Sequence, residues 1–144
     1  MEQIEQELIM IVERAIFLIK EVQPQTTSTE GNVFLLKTQA DFTRYLTEFQ
    51  KKNRSTYAAN TINLYREATE LASKDLSSAH PYMLGLALNH AIFFHEIMKD
   101  VVSAYKLAKS AFDVAIDNMD DVKDESYKDT CILIQLMKDN LMLW

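Results

Sequence analysis

Apolar residues recur along this chain at spacings of three and four, the period of an α-helix, and polar clusters divide the pattern into six segments. The first covers about residues 2–22 and ends before Pro24 and the polar stretch TTSTEGN. The second runs over about 30–50 and stops at KKNRS. The third, about 55–76, carries Ile62, Tyr65, Ala68, Thr69 and Ala72 at helical spacing. SSAHP then breaks the chain, and Pro81 opens a fourth helix at a first-turn position, where its missing N–H is harmless. That helix holds Leu84, Leu88, Ala91, Ile92 and His95. A fifth spans about 101–118, and the last, about 124–143, starts with acidic residues suited to the positive end of a helix dipole.

The first segment departs from a one-sided stripe. Ten of the twelve residues in LIMIVERAIFLI (8–19) are apolar, so the helix is hydrophobic nearly all round and needs cover on more than one side. A partner subunit, or helices that a longer relative carries in front, would supply it. The run is too short, and too interrupted by Glu13 and Arg14, to cross a membrane.

A faint repeat links LYREATELASKD (64–75) to AYKLAKSAFDVA (104–115). Alanines at i and i+4 let helices approach closely, as in stacked helix hairpins. The expected architecture is all-α, an antiparallel helical array in a single domain over residues 1–144. Glycine and proline occur only twice each, too few for the turns of a sheet protein.

Charge narrows the functions. A net charge of −6 argues against general nucleic-acid binding, although it leaves room for a local basic patch. The single Cys131 excludes an internal disulfide framework and a CxxC motif, and reads as cytoplasmic. The acidic opening MEQIEQEL is no signal peptide. Enzyme constellations are missing as well. Gly31 and Gly85 build no phosphate-cradling loop, His80, His90 and His95 contain no i, i+4 metal pair, and nothing beside Cys131 lowers its pKa. No catalysis, cofactor or metal is expected.

The second helix is richer. At 100° per residue, Lys37, Asp41, Arg44, Tyr45 and Glu48 fall within an arc of about 100°. One reading is a solvated face with Asp41–Arg44 and Arg44–Glu48 pairs, each contributing a few tenths of a kcal/mol. The other is an arginine and a tyrosine donating jointly to a phosphate, oriented by the carboxylates. Two further stripes bear on the choice. Asn89, Ile92, Phe93 and Glu96 lie on one face of the fourth helix, with Leu88 adjacent, and Leu133, Leu136, Asn140 and Leu143 form a stripe in the last, flanked by Asp139 and Trp144. Each apolar stripe carries one asparagine, whose amide can both donate to and accept from an extended peptide backbone. Either amide alone is equally consistent with a satisfied core residue.

HPYMLGLALNHAIFFHEI (80–97), LAKSAFDVAI (107–116), ESYKDTCILIQLMKDNLMLW (125–144) and VFLLKTQADFTRYLTEF (33–49) together resemble the 14-3-3 family. The resemblance implies the last six helices of a nine-helix, phosphopeptide-clasping adaptor, with the first three absent. It assigns the phosphate to Arg44 and Tyr45, with Lys37 assisting, and the peptide main chain to Asn89 and Asn140, bordered by Glu96 and Trp144. Leu88, Ile92, Leu136, Leu143 and Trp144 match the apolar wall. Gln39 stands near the place of a second lysine. Partners implied are phosphorylated proteins or peptides, with no nucleic acid and no membrane.

The family's other two phosphate-binding cations lie on its third helix and have no counterpart in the sequence. At roughly 1.5–3 kcal/mol for each charged hydrogen bond, binding is expected to weaken by about two to four decades. Family-type dimerisation, which uses the N-terminal helices, is not expected. Two other outcomes stay open: a phosphate-independent helical interaction scaffold, or a degenerate fragment that needs a partner chain.

Overall fold

The computed structural model describes residues 2–22, 28–49 and 53–144. The described residues form six α-helices: α1 (Glu2–Val22), α2 (Thr29–Phe49), α3 (Arg54–Asp75), α4 (Pro81–Glu96), α5 (Val101–Asp117) and α6 (Asp124–Leu143). Among the described residues there is no strand. The boundaries agree with the periodicity to within a residue or two. A 3-10 turn, Met119–Asp121, was not expected from the sequence. The breaks expected at Pro24 and at Lys51–Lys52 lie outside the described residues. The chain forms two compact units, one reaching Ala68 and one running from Thr69 to Trp144.

In the first unit α1 packs on α2. The inward face of α2 buries Val33, Leu36, Ala40 and Leu46, together with the threonines Thr43 and Thr47. Those hydroxyls are satisfied inside the helix, Thr43 donating to the Gln39 carbonyl at 2.8 Å and Thr47 to that of Thr43 at 3.1 Å. From α3, Thr61, Tyr65 and Ala68 are buried. The all-round apolarity of α1 has a direct structural consequence. Among its described side chains only Val12 is buried, while Met10 (69% exposed), Ile11 and Phe17 face outward.

The second unit centres on Ala79, Leu84, Leu88, Ala115 and Met137, with Ile92, Phe112, Leu133 and Ile134 packed around them. Helix α4 packs on α5, and both pack on α6. The alanine spacing of the repeat serves this packing: Ala72, Ala104 and Ala108 are fully buried. Specific polar contacts fix the helix ends. His80 caps α4 by accepting the Tyr82 amide on Nδ1 at 3.0 Å, with Pro81 following it in the first turn. Asp100 caps α5, accepting from the Ser103 amide at 3.0 Å and from its hydroxyl at 2.5 Å. Buried Thr130 of α6 donates to the Ala79 carbonyl at 2.8 Å, tying the last helix to the turn before α4.

Candidate functional site

Helical periodicity places Lys37, Asp41, Arg44 and Tyr45 on one face of α2, and the structure connects them in a way the wheel alone does not give. The Asp41 carboxylate accepts from both Lys37 and Tyr65. Its Oδ2 accepts from Lys37 Nζ at 2.9 Å, and its Oδ1 accepts from the Tyr65 hydroxyl at 2.5 Å. Tyr65 reaches in from α3 and is fully buried. The Arg44 guanidinium lies over the Tyr45 ring, 5.3 Å from its centroid, and Tyr45 in turn meets Phe42 edge-on at 6.0 Å.

Arg44 is only 9% exposed, yet its Nε and Nη1 are buried with no hydrogen-bond partner among the described residues. Buried donors are nearly always satisfied, so a partnerless pair on a permanently charged group marks a place where an acceptor is expected. Burial opposes the charge, but Tyr65, the Asp41 carboxylate and a hydrogen bond with Tyr45 outweigh it and raise the pKa above the ordinary arginine value. At neutral pH the anionic partner among these is Asp41, because burial and the neighbouring Asp41 push the Tyr65 phenol far up and keep it protonated. The result is a fixed cation with unused donors, beside a half-exposed phenol and a lysine held by the same carboxylate. Chemically, this arrangement suits an oxyanion.

Two sequence expectations read differently in three dimensions. No Arg44–Glu48 ion pair forms among the described residues; Glu48 is exposed. Gln39, near the place of a family lysine, is 7% exposed and lines a cleft of about 430 Å³ with Glu13, Thr43, Leu46 and Asn63.

In the second unit, Asn89 and Asn140 are half-buried. Asn140 Nδ2 donates to the Leu136 carbonyl of its own helix at 2.9 Å, leaving the rest of the amide for other contacts. Leu88 is buried in the core cluster and Ile92 packs against it, whereas Leu136 and Leu143 (84% exposed) face outward. Trp144 stacks on His95, ring centroids 5.1 Å apart and planes 15° from parallel, next to exposed Glu96. The wall residues thus divide between core packing and open surface.

The sequence places Tyr65 only at helical spacing with Ile62 and Ala68; the signal for its contact with Asp41 is the hydroxyl, which a buried tyrosine must place on a partner. Cys131 is exposed. Among the described residues, no group of three or more His, Cys, Asp or Glu side chains is arranged to hold a metal, and no helix is long and apolar enough to cross a membrane.

Comparison with known proteins shows the family. The family pattern described as 14-3-3 protein matches residues 1–144. 14-3-3 protein 3 of Entamoeba histolytica is 42% identical over 143 residues, covering 98% of this chain and 60% of the relative. Human 14-3-3 protein beta/alpha is 42% identical over 145 residues, covering 99% and 59%. A 14-3-3-like protein of Fucus vesiculosus is 47% identical over 126 residues, covering 86% and 50%. The chain therefore spans at most about 60% of the length of these relatives. A match over the whole chain, on the same helices that carry the arginine–tyrosine face and the two asparagine stripes, shows that this protein belongs to the 14-3-3 family.

Proposed function

We propose that this chain is a non-catalytic adaptor that binds phosphoserine- or phosphothreonine-containing segments of partner proteins. The observation that carries the reading is Arg44, a buried guanidinium whose Nε and Nη1 have no partner among the described residues. A phosphate dianion supplies both the charge and the acceptor oxygens those nitrogens need. Tyr45 adds a phenol half-exposed beside the guanidinium, and Lys37 adds a second cation. In the second unit, Asn89 and Asn140 serve a peptide main chain, and Leu136, Leu143 and Trp144, with Leu88 and Ile92 beneath, take its apolar side chains, bordered by Glu96. Membership of the 14-3-3 family supports the adaptor role and a cytoplasmic setting.

For these 144 residues the affinity is expected to be reduced, because the cations that the resemblance places on the family's third helix have no counterpart among them. At roughly 1.5–3 kcal/mol for each missing charged hydrogen bond, the loss is about two to four decades.

The test is a fluorescence-anisotropy titration with one basic phosphoserine peptide and its unphosphorylated twin, repeated with Arg44→Ala. Binding of the phosphopeptide alone, abolished by the substitution, supports the reading. Equal binding of the twins makes the chain a phosphate-independent interaction scaffold. No binding of either shows that the 144 residues alone do not hold a phosphopeptide.

A further inference from the structure

We propose that Tyr65 is a positioning residue of the anion site: its hydroxyl holds the Asp41 carboxylate in place, so that Arg44 stays available to a bound oxyanion. The inference rests on the phosphate-binding reading of Arg44 and extends it to a residue on another helix.

Asp41 precedes Arg44 by three residues on the same helix face, a spacing at which carboxylate and guanidinium normally pair. Yet neither Arg44 Nε nor Nη1 has a partner among the described residues. The reason lies in where the carboxylate is committed. Oδ1 takes the Tyr65 hydroxyl at 2.5 Å and Oδ2 takes Lys37 at 2.9 Å. Lys37 sits on a flexible stem and remains partly exposed, so it alone fixes the carboxylate poorly. Tyr65 is fully buried, and its ring has no room to swing away. It is therefore the more rigid of these two donors.

A phenol suits this task. It is neutral, so it satisfies the carboxylate without adding a charge that would repel Arg44 or compete with it for the anion. The burial and the Asp41 charge that raise its pKa keep it a donor throughout the physiological range. Without the hydroxyl, Asp41 Oδ1 loses a buried donor. The unsatisfied donors on its own helix face are those of Arg44. A carboxylate turned onto Arg44 occupies the nitrogens an oxyanion would use and cancels the charge that attracts it. Helix α3 thus enters the site as a support that governs whether the cation on α2 is open.

The experiment compares phosphoserine-peptide binding by anisotropy in the wild type, Arg44→Ala, Tyr65→Phe, Asp41→Asn and the Tyr65→Phe/Asp41→Asn pair. Tyr65→Phe keeps the buried ring and removes only the hydroxyl. Its expected effect is about tenfold weaker binding, a change of about 1.4 kcal/mol. Adding Asp41→Asn to Tyr65→Phe removes the competing carboxylate and is expected to restore affinity to within about twofold of wild type, the coupling signature of direct competition. Unchanged binding in Tyr65→Phe overturns the proposal, and so does a loss that Asp41→Asn fails to restore. If Tyr65→Phe does not fold, Asp41→Asn alone decides: affinity retained or raised supports the competition, and affinity lost overturns it. Phosphate-dependent binding that survives Arg44→Ala removes the underlying reading instead, an outcome separate from the other three variants.

Discussion

Replacing Arg44 with methionine separates the two readings of this residue, because they predict stability changes of opposite sign. Methionine keeps an unbranched stem of similar reach and removes the charge and every donor. Two buried nitrogens without partners, Nε and Nη1, are relieved. At about 1–3 kcal/mol per unsatisfied buried group, that gain is about 2–6 kcal/mol, centred on about 4 kcal/mol. Against it stand the loss of the guanidinium's position over the Tyr45 ring, worth about 0.5–1 kcal/mol, the loss of its hydrogen bond with Tyr45, worth about 1.5 kcal/mol, and the loss of its attraction to Asp41. That attraction contributes on the order of 1 kcal/mol or less, since Lys37 and Tyr65 keep hold of the carboxylate. The balance favours the variant by about 1 kcal/mol, a rise in Tm of roughly 2–4 °C for a chain of this size. Urea unfolding gives the free energy and differential scanning calorimetry the Tm, with phosphopeptide titration on the same samples. Arg44→Met is expected to be more stable than wild type and unable to bind. A loss of 1 kcal/mol or more with an unchanged m-value refutes the reasoning and makes Arg44 a structural cation.

Three further outcomes follow from contacts already described. Tyr45→Phe keeps the ring beneath Arg44 and against Phe42 but removes the hydroxyl; phosphopeptide affinity is expected to fall about five- to tenfold by calorimetric titration, with Tm unchanged. Thr130→Val deletes the buried 2.8 Å bond to the Ala79 carbonyl at nearly constant shape and is expected to cost about 1–2 kcal/mol in urea unfolding. Asp100 has its pKa lowered by the hydroxyl and then the amide of Ser103, so the unfolded chain binds its proton more readily than the folded one. Its contribution is fully present above the unfolded value of about 3.9 and disappears as pH falls through the lower folded value. In a Tm-against-pH series, Asp100→Asn is expected to flatten the acid-side loss below about pH 4, and an identical slope would remove the cap from the explanation.

The helices were legible because their signals are local. Pro81 in a first turn, the acidic start of α6 and alanines at i, i+4 each act within one segment, and the boundaries followed. The clustering of Lys37, Asp41, Arg44 and Tyr45 was legible for the same reason. What their wheel positions could not assign was the partner of Asp41. On a helix, i−4 Lys37 and i+3 Arg44 are both neighbours, and the choice between them is tied to a hydroxyl from Tyr65, 24 residues along the chain. Likewise, a stripe carrying Leu88 and Ile92 looks the same in sequence whether it faces a ligand or a core. Only the packing of Ala115 and Met137 against that face shows that Leu88 belongs to the interior. The link from Thr130 to Ala79 spans 51 residues and leaves no local trace at all.

The outward-facing side chains of α1 bear on how this protein should be handled. Met10, Ile11 and Phe17 are part of the folded surface, so a molecule that covers them in their helical arrangement binds the native state in preference to the unfolded chain. Apparent stability then rises as RT ln(1 + [L]/Kd), by about 2.7 kcal/mol when the covering species is present at 100 times its Kd. If the covering surface is a second copy of the chain, the melting temperature becomes a function of protein concentration, and a detergent monomer occupying the same face would mimic it. A single Tm for this chain therefore carries meaning only alongside the concentration and additives at which it was recorded.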